Sequence, residues 1–324
     1  MNLPRRRFLH LAAGAAALPA LPLIARAQAY PTRPVRFIVP VVAGGSTDTV
    51  ARLVGEHLSR VFGQQFIVDN RSTAGGTAGM EAVAKSVPDG YTLLVTTDRV
   101  ASAPHAFKLN FDPLKNLAAI DQLTRQPLVL AVHHSLGIDS LGELVARAKT
   151  EPGMNYATSG VGIHQHVVGE WFQKLAGIKL VVVPYRGAGQ AINDLIAGHV
   201  KIGVLGSTPL IPHYKAGTLR LLAQSSAARS TGLSDVPTFQ EAGFKGLVLD
   251  QWIGIFAPMG IPRAIVVRLN AEMNKVLAIP SVRENLEQQA LEPVGGSIEH
   301  ARQLFEDDFE KYRKLMKELN ISAN

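Results

Sequence analysis

The sequence predicts an α/β protein in which parallel strands alternate with helices covering both faces of a sheet. Three observations carry that expectation. Short apolar runs of strand length alternate with longer stretches whose apolar residues recur at helical spacing. Hydrophobic residues make up 47% of the chain and charged residues 18%, so a core can be buried and charge is too sparse for a disordered protein. The length, 324 residues, corresponds to about two domains.

Val35–Val39 is an apolar run closed by Pro40, a buried strand. Thr47–Phe62 then sets Val50, Leu53, Val54, Leu58 and Val61 on one helical stripe, and Gly63 stops it. Phe66–Val68 is a second strand. Gly76–Ser86 is a helix closed by the turn Pro88-Asp89-Gly90, and Tyr91–Val95 a third strand. The alternation resumes with a strand at Leu128–Val132, a helix near Leu141–Lys149 and a strand at Asn155–Ala157. Helices at His164–Ala176, Gln190–Ala197 and Pro209–Ala216 then alternate with strands at Leu180–Val183, Ile202–Leu205 and Leu219–Ala223. Trp252–Phe256 reads as a last strand. Three helices follow, at Pro262–Ala278, Ser281–Gln289 and Ile298–Leu319. Pro262 sits at a helix start, where its missing N–H costs nothing; Pro280 separates the first two, and Ser297 caps the third. Such a helical tail suggests that the chain returns to pack on its first half.

Charge and cysteine exclude several classes. The net charge is +7, but Arg5, Arg6, Arg7 and Arg26 lie in an acid-free stretch, residues 1–29; without it the chain carries +3. That is too mild for nucleic-acid binding. With no cysteine there are no disulfides, thiolate chemistry, cysteine-held metals or lipid-modified cysteine anchor. Residues 1–29 read as a cleaved export signal: a basic start, an apolar run from Leu11 to Ala25, and small-x-small patterns at Ala25-Arg26-Ala27 and Ala27-Gln28-Ala29. The run, about 15 residues, is short of a membrane span, which argues against an uncleaved anchor. Arg5-Arg6-Arg7-Phe8-Leu9 resembles the twin-arginine export motif. The mature protein is expected outside the cytoplasm, not inserted in a membrane.

The chemistry lies in four glycine loops, each after a predicted strand and opening a helix. They are Ala43-Gly44-Gly45-Ser46-Thr47-Asp48, Ala74-Gly75-Gly76-Thr77-Ala78-Gly79, Ser159-Gly160-Val161-Gly162 and Arg186-Gly187-Ala188-Gly189. Glycine lets backbone N–H groups approach a ligand, and the following helix start offers unpaired donors and a positive dipole end. Any one loop is more simply a tight turn. Several converging at strand C-termini make an anion site. No phosphate-loop, dinucleotide or hydrolase-elbow pattern is present. His133-His134 and the pair His164 and His166 have no third ligand nearby, so no metal and no cofactor are expected. Asp98-Arg99 is either a buried ion pair at the cleft or an exposed one. Trp252 is a pocket wall or, more commonly for such a residue, a core aromatic.

These loops resemble the solute-binding proteins of tripartite tricarboxylate transporters, the Bug family, across nearly all of the mature chain. The blocks that carry the resemblance include Arg36-Phe37-Ile38-Val39-Pro40 before Gly44-Gly45-Ser46-Thr47-Asp48, and Val68-Asp69-Asn70-Arg71 before Ala74-Gly75-Gly76. Pro88-Asp89-Gly90-Tyr91-Thr92-Leu93-Leu94, Asn155-Tyr156-Ala157-Thr158-Ser159-Gly160, Val183-Pro184-Tyr185-Arg186-Gly187 and Asp235-Val236-Pro237-Thr238 continue the series. The resemblance implies a two-lobed periplasmic binding fold with a ligand cleft between mostly parallel sheets. It places lobe one at about 30–122 plus 228–324 and lobe two at 123–227, with crossings near Ala118–Arg125 and Gln224–Ser230. It implies capture of a small organic carboxylate (di- or tricarboxylate, acidic amino acid or aromatic acid) by a monomer that delivers it to membrane permease subunits. The carboxylate would be held by Gly44, Gly45, Ser46, Thr47 and Asp48, with Ser159, Gly160, Arg186, Gly187, Gly206, Ser207 and Thr208 closing from the second lobe.

Four places depart from the family pattern. Val41 replaces an aromatic residue, Ala43 replaces a proline, and Gly162-Ile163-His164-Gln165-His166 replaces a hydroxyl-rich run. Thr97-Asp98-Arg99 stands where small residues are common; from there Asp98, if it faces the cleft, would take a ligand ammonium, and Arg99 or Arg186 a second carboxylate. The alternative to a binding protein is a secreted hydrolase acting on a carboxylate ester in the same cleft, with His164 or His166 and a nearby serine. No nucleophile motif supports it.

Overall fold

The computed structural model describes residues 30–322; the export-signal reading, residues 1–29, lies outside the described residues. From Arg33 onward the chain forms one compact unit built on two sheets.

The strands are β1 (Val35–Val39), β2 (Phe66–Asn70), β3 (Thr92–Thr97), β4 (Leu117–Gln126), β5 (Leu128–His133), β6 (Met154–Thr158), β7 (Leu180–Pro184), β8 (Ile202–Gly206), β9 (Leu219–Gln224), β10 (Gln251–Pro258) and the two-residue β11 (Glu292–Pro293). The first sheet has the order β11-β4-β10-β3-β1-β2 and the second β7-β6-β8-β5-β9. Each has a parallel core: β1 with β2 and β3, and β6 with β7 and β8. The α/β class follows the sequence reading. The strand direction does not follow it throughout, because both sheets are mixed. β10 runs antiparallel to β3 and β4, and β5 runs antiparallel to β8 and β9. The chain leaves β4 of the first sheet and enters β5 of the second across Pro127 alone.

Residues 118–125, near which the first crossing is expected, lie inside β4, which pairs along β10 from Leu117↔Pro258 to Gln126↔Gln251, and the passage to the second sheet follows at Pro127. The chain returns from β9 through residues 225–250 and rejoins the first sheet at Gln251. Two further elements lacked a signal in the sequence. The helix Arg99–Ala106 is built of small residues around Pro104, and β4 buries Asp121, Gln122 and Thr124 where a strand pattern calls for apolar side chains.

The helices follow their apolar stripes. Ser46–Phe62 buries Val50, Val54 and Leu58 and ends on Gly63. His164–Ala176 has the predicted bounds and buries Val167, Val168 and Phe172. The long helix Ile298–Glu318 starts on Ser297, whose hydroxyl accepts from the His300 amide at 3.0 Å, and packs on β4 and on the helix Arg99–Ala106. Trp252 is 4% exposed and belongs to this core; its indole N–H donates to Asp308 at 2.6 Å. Among the described residues no helix is long and apolar enough to cross a membrane.

Asp308 makes this packing pH-dependent. Burial pushes its carboxyl up to about 6; the Trp252 N–H opposes that, and the charge of Asp98 adds to it. A carboxyl raised on folding contributes stability that is present below its unfolded value near pH 4 and lost as pH rises through 6. The Asp308→Asn protein stays neutral and keeps an acceptor for Trp252. Its melting temperature should match wild type at pH 4 and exceed it at pH 8, read by circular dichroism melts; equal melting temperatures at both pH values would remove Asp308 as the cause.

Candidate ligand-binding site

A cavity of about 460 Å³ opens where the C-terminal ends of β1, β3, β6, β7 and β8 face one another, a volume ordinary for a small-molecule site. Besides the helix that Arg99 opens, three helices begin on it, and none of them has a side-chain cap. Gly45 precedes Ser46–Phe62, Ile163 precedes His164–Ala176, and Gly187 precedes Ala188–Ile196. Their starts line the cavity, and the unpaired N–H groups and positive dipole end of a helix start favour an anion there; only the first of the three carries an acidic residue, Asp48, in its first turn.

Of the residues expected at the site, Val41, Ala43, Gly44, Gly45, Ser46 and Thr47 line it from the loop after β1, with Thr97 after β3. Ser159, Gly160, His164, Arg186, Gly187 and Gly206 line it from the second sheet. Asp48, Asp98, Ser207 and Thr208 do not line it. Asp48 instead clamps the loop from behind. Its carboxylate accepts from the Gly44 amide, Arg52 Nε and Asn70 Nδ2, each at 3.0 Å. Burial pushes its pKa up, but these hydrogen bonds and the Arg52 charge outweigh burial and hold it below the usual carboxylate range. Asp98 is fully buried, accepts from the Tyr312 hydroxyl and lies 2.9 Å from His164 Nδ1, so it is turned away from any ligand ammonium. Ser207 is also fully buried, and the Thr208 hydroxyl is occupied by Gln126 Oε1 at 2.7 Å and the Gln289 carbonyl at 2.8 Å.

Glutamines organise the hydrogen bonds at and behind the cavity wall, and sequence reasoning passed over them. Gln126, the last residue of β4, donates to Ser46 Oγ at 2.9 Å and to Gln251 Oε1. Gln251, the first residue of β10, reaches His164 Nε2 at 2.7 Å. Gln165 accepts from both the amide and the hydroxyl of Ser159, at 2.8 and 2.6 Å, and so fixes that loop. Their roles depend on contacts across the chain, so the only local signal was the Gln165 of the departing His-Gln-His run.

The two histidines have no free lone pair for base chemistry. With Gln251 donating to Nε2, the proton of His164 sits on Nδ1 toward Asp98. His166 Nδ1 accepts from the Gly162 amide at 3.1 Å, and its other nitrogen faces Glu170 at 3.7 Å. Among the described residues no group of three His, Cys, Asp or Glu side chains could hold a metal ion.

Two sheets meeting at a cleft ringed by helix starts define the class of periplasmic solute-binding proteins with two lobes. Residues 50–321 match the family model of the tripartite tricarboxylate transporter family receptor, and the chain belongs to that family. It is 36% identical to protein BugT of Bordetella pertussis over 299 residues, covering 90% of this chain and 91% of BugT. Among solved structures it is similar to R. palustris Rpa4515 with adipate, with a TM-score of 0.87 and 32% identity over 90% of this chain and 99% of that one. It is also similar to MatC from Rhodopseudomonas palustris with bound malate, with a TM-score of 0.81 and 28% identity over 88% and 99%. The family and these neighbours are solute-binding proteins, not enzymes, which sets the hydrolase alternative aside.

Proposed function

We propose that the protein captures a small organic carboxylate in the periplasm and delivers it to the membrane subunits of a tripartite tricarboxylate-type transporter. The observation that carries this reading is the convergence of three uncapped helix starts on one cavity. Such a cradle offers many N–H donors and binds a carboxylate without a buried counter-charge for each oxygen. The residues proposed to hold the ligand are Gly44, Gly45, Ser46 and Thr47 from one side, and Ser159, Gly160, Arg186 and Gly187 from the other. Rpa4515 with adipate and MatC with malate support an organic acid as the ligand class.

The two sheets are proposed as cores of two lobes, 30–122 plus 228–324 and 123–227, with residues 123–126 staying in β4 of the first sheet. Ligand binding draws the lobes together, and the closed form is the one a permease recognises.

The test is a thermal-shift screen of carboxylates on the mature protein. A ligand present at 100 times its dissociation constant stabilises by about 2.7 kcal/mol, a melting shift of several degrees. A shift with at least one di- or monocarboxylate is expected, and none with the matching amides. A flat response to every acid, with the protein folded, would end this reading.

A further inference from the structure

The cavity contains one charged group that the backbone cradle does not explain. Arg99 opens the helix after β3, is only 9% exposed, and lines the cavity. Its backbone amide donates to Thr97 Oγ1, but its guanidinium donates no hydrogen bond to another described residue, and Nε is buried without a partner. Its charge is only partly answered. Asp98 is its sequence neighbour, but no hydrogen bond joins the two, and that carboxylate accepts from the Tyr312 hydroxyl and lies 2.9 Å from His164 Nδ1. The ring of Phe107 lies 5.6 Å from the guanidinium carbon. The group stays cationic at neutral pH, because burial lowers its pKa only to about 10, with the Asp98 charge opposing burial. Space has been left for it. At Gly75, where φ is +63°, a Cβ would come within 2.9 Å of Arg99 Nη2, so a side chain there would displace the guanidinium.

A buried guanidinium presents five donors in a planar fork, and leaving such donors unpaired away from water is costly. A carboxylate satisfies two of them at once and neutralises the charge. Arg186 is different: it is exposed at the rim and keeps its hydration. Apolar side chains, among them Val41, Ile163, Ile192 and Phe107, share the cavity lining with Arg99 and the helix starts.

We infer that Arg99 pairs directly with a second carboxylate of the ligand, so that the cleft selects an acid with two charged ends and an apolar middle. This rests on the carboxylate-receptor reading and adds to it the residue that decides between diacids and monoacids.

The test uses titration calorimetry on the mature protein with matched pairs of four to eight carbons, each a straight α,ω-diacid and the monoacid of equal length; adipate and hexanoate are one pair. Wild type should prefer the diacid by about 10- to 100-fold, as a charge-assisted fork implies. In Arg99→Met that ratio should fall to within about threefold of one. Arg99→Lys keeps the charge without the fork and should retain only part of the preference. A wild-type arm guards against misfolded variants: converting one end of the bound diacid to its methyl ester should cost as much as removing that carboxylate. Equal affinity for diacid and monoacid in wild type, or a ratio unchanged in Arg99→Met, overturns the assignment and leaves the carboxylate reading standing. Failure of wild type to retain any acid overturns both.

Discussion

The Ser46→Trp protein should fold and should give no carboxylate-induced melting shift, where wild type gives one worth about 2.7 kcal/mol at 100 times the dissociation constant. Ser46 is the first residue of its helix and lines the cavity; its hydroxyl accepts from Gln126. An indole there occupies the space in front of the first-turn N–H groups, so the cradle is blocked without altering the backbone that forms it. The variant also forfeits the Gln126 hydrogen bond, worth about 1 kcal/mol, so Ser46→Ala is the control. Ser46→Ala should keep most of the shift. An undiminished shift in Ser46→Trp would move the site away from the β1 loop.

Gly162→Ala should weaken ligand binding by about 10- to 100-fold while leaving the unliganded protein folded. Gly162 has φ of +66°, and a Cβ there would fall 2.1 Å from the Cβ of Ala106. Gly162 belongs to the loop between β6 and the helix His164–Ala176, and Ala106 ends the helix that follows β3 in the first sheet. The new methyl therefore carries two costs. The left-handed backbone costs roughly 1–2 kcal/mol in every arrangement of the sheets. The overlap, about 1–3 kcal/mol, falls only on the arrangement in which the two sheets approach this closely. Only the second cost enters the affinity. Calorimetry should show the loss, and small-angle scattering should show a ligand-saturated radius of gyration larger than that of wild type. Wild-type affinity in this variant would mean that the approach of Gly162 to Ala106 plays no part in ligand capture.

How much of this was readable beforehand differs by element. β1 and the helix His164–Ala176 have the bounds expected from their apolar patterns, because each buries one continuous set of side chains. β4 escaped notice because it buries polar residues, two of which find partners on distant elements: Asn274 donates to Asp121 at 3.1 Å, and His300 meets Gln122 at 3.2 Å. A local pattern cannot register partners so far along the chain. At the site the same distinction holds. Gly44, Gly45 and Ser46 were legible because glycine before a helix start is a local signal. Asp48 and Asp98 were read as ligand contacts, whereas the structure turns them inward as clamps. Nothing in the order of residues reveals which way an acidic side chain faces once Asn70 or Tyr312 is folded beside it.

The pairing of Gln126 with Gln251 has a mechanical consequence. Gln126 and Gln251 stand opposite each other in register, one where the chain departs from the first sheet and the other where it comes back. The two covalent passages between halves are thus side by side, and the axis of any swing runs through them. Atoms at an axle barely travel, whereas those at the lip sweep the widest arc. On the proposed closure, the lining residue Gln251 beside these passages travels least, whereas Arg186, after β7 and three strands away from β5 across the second sheet, travels farther.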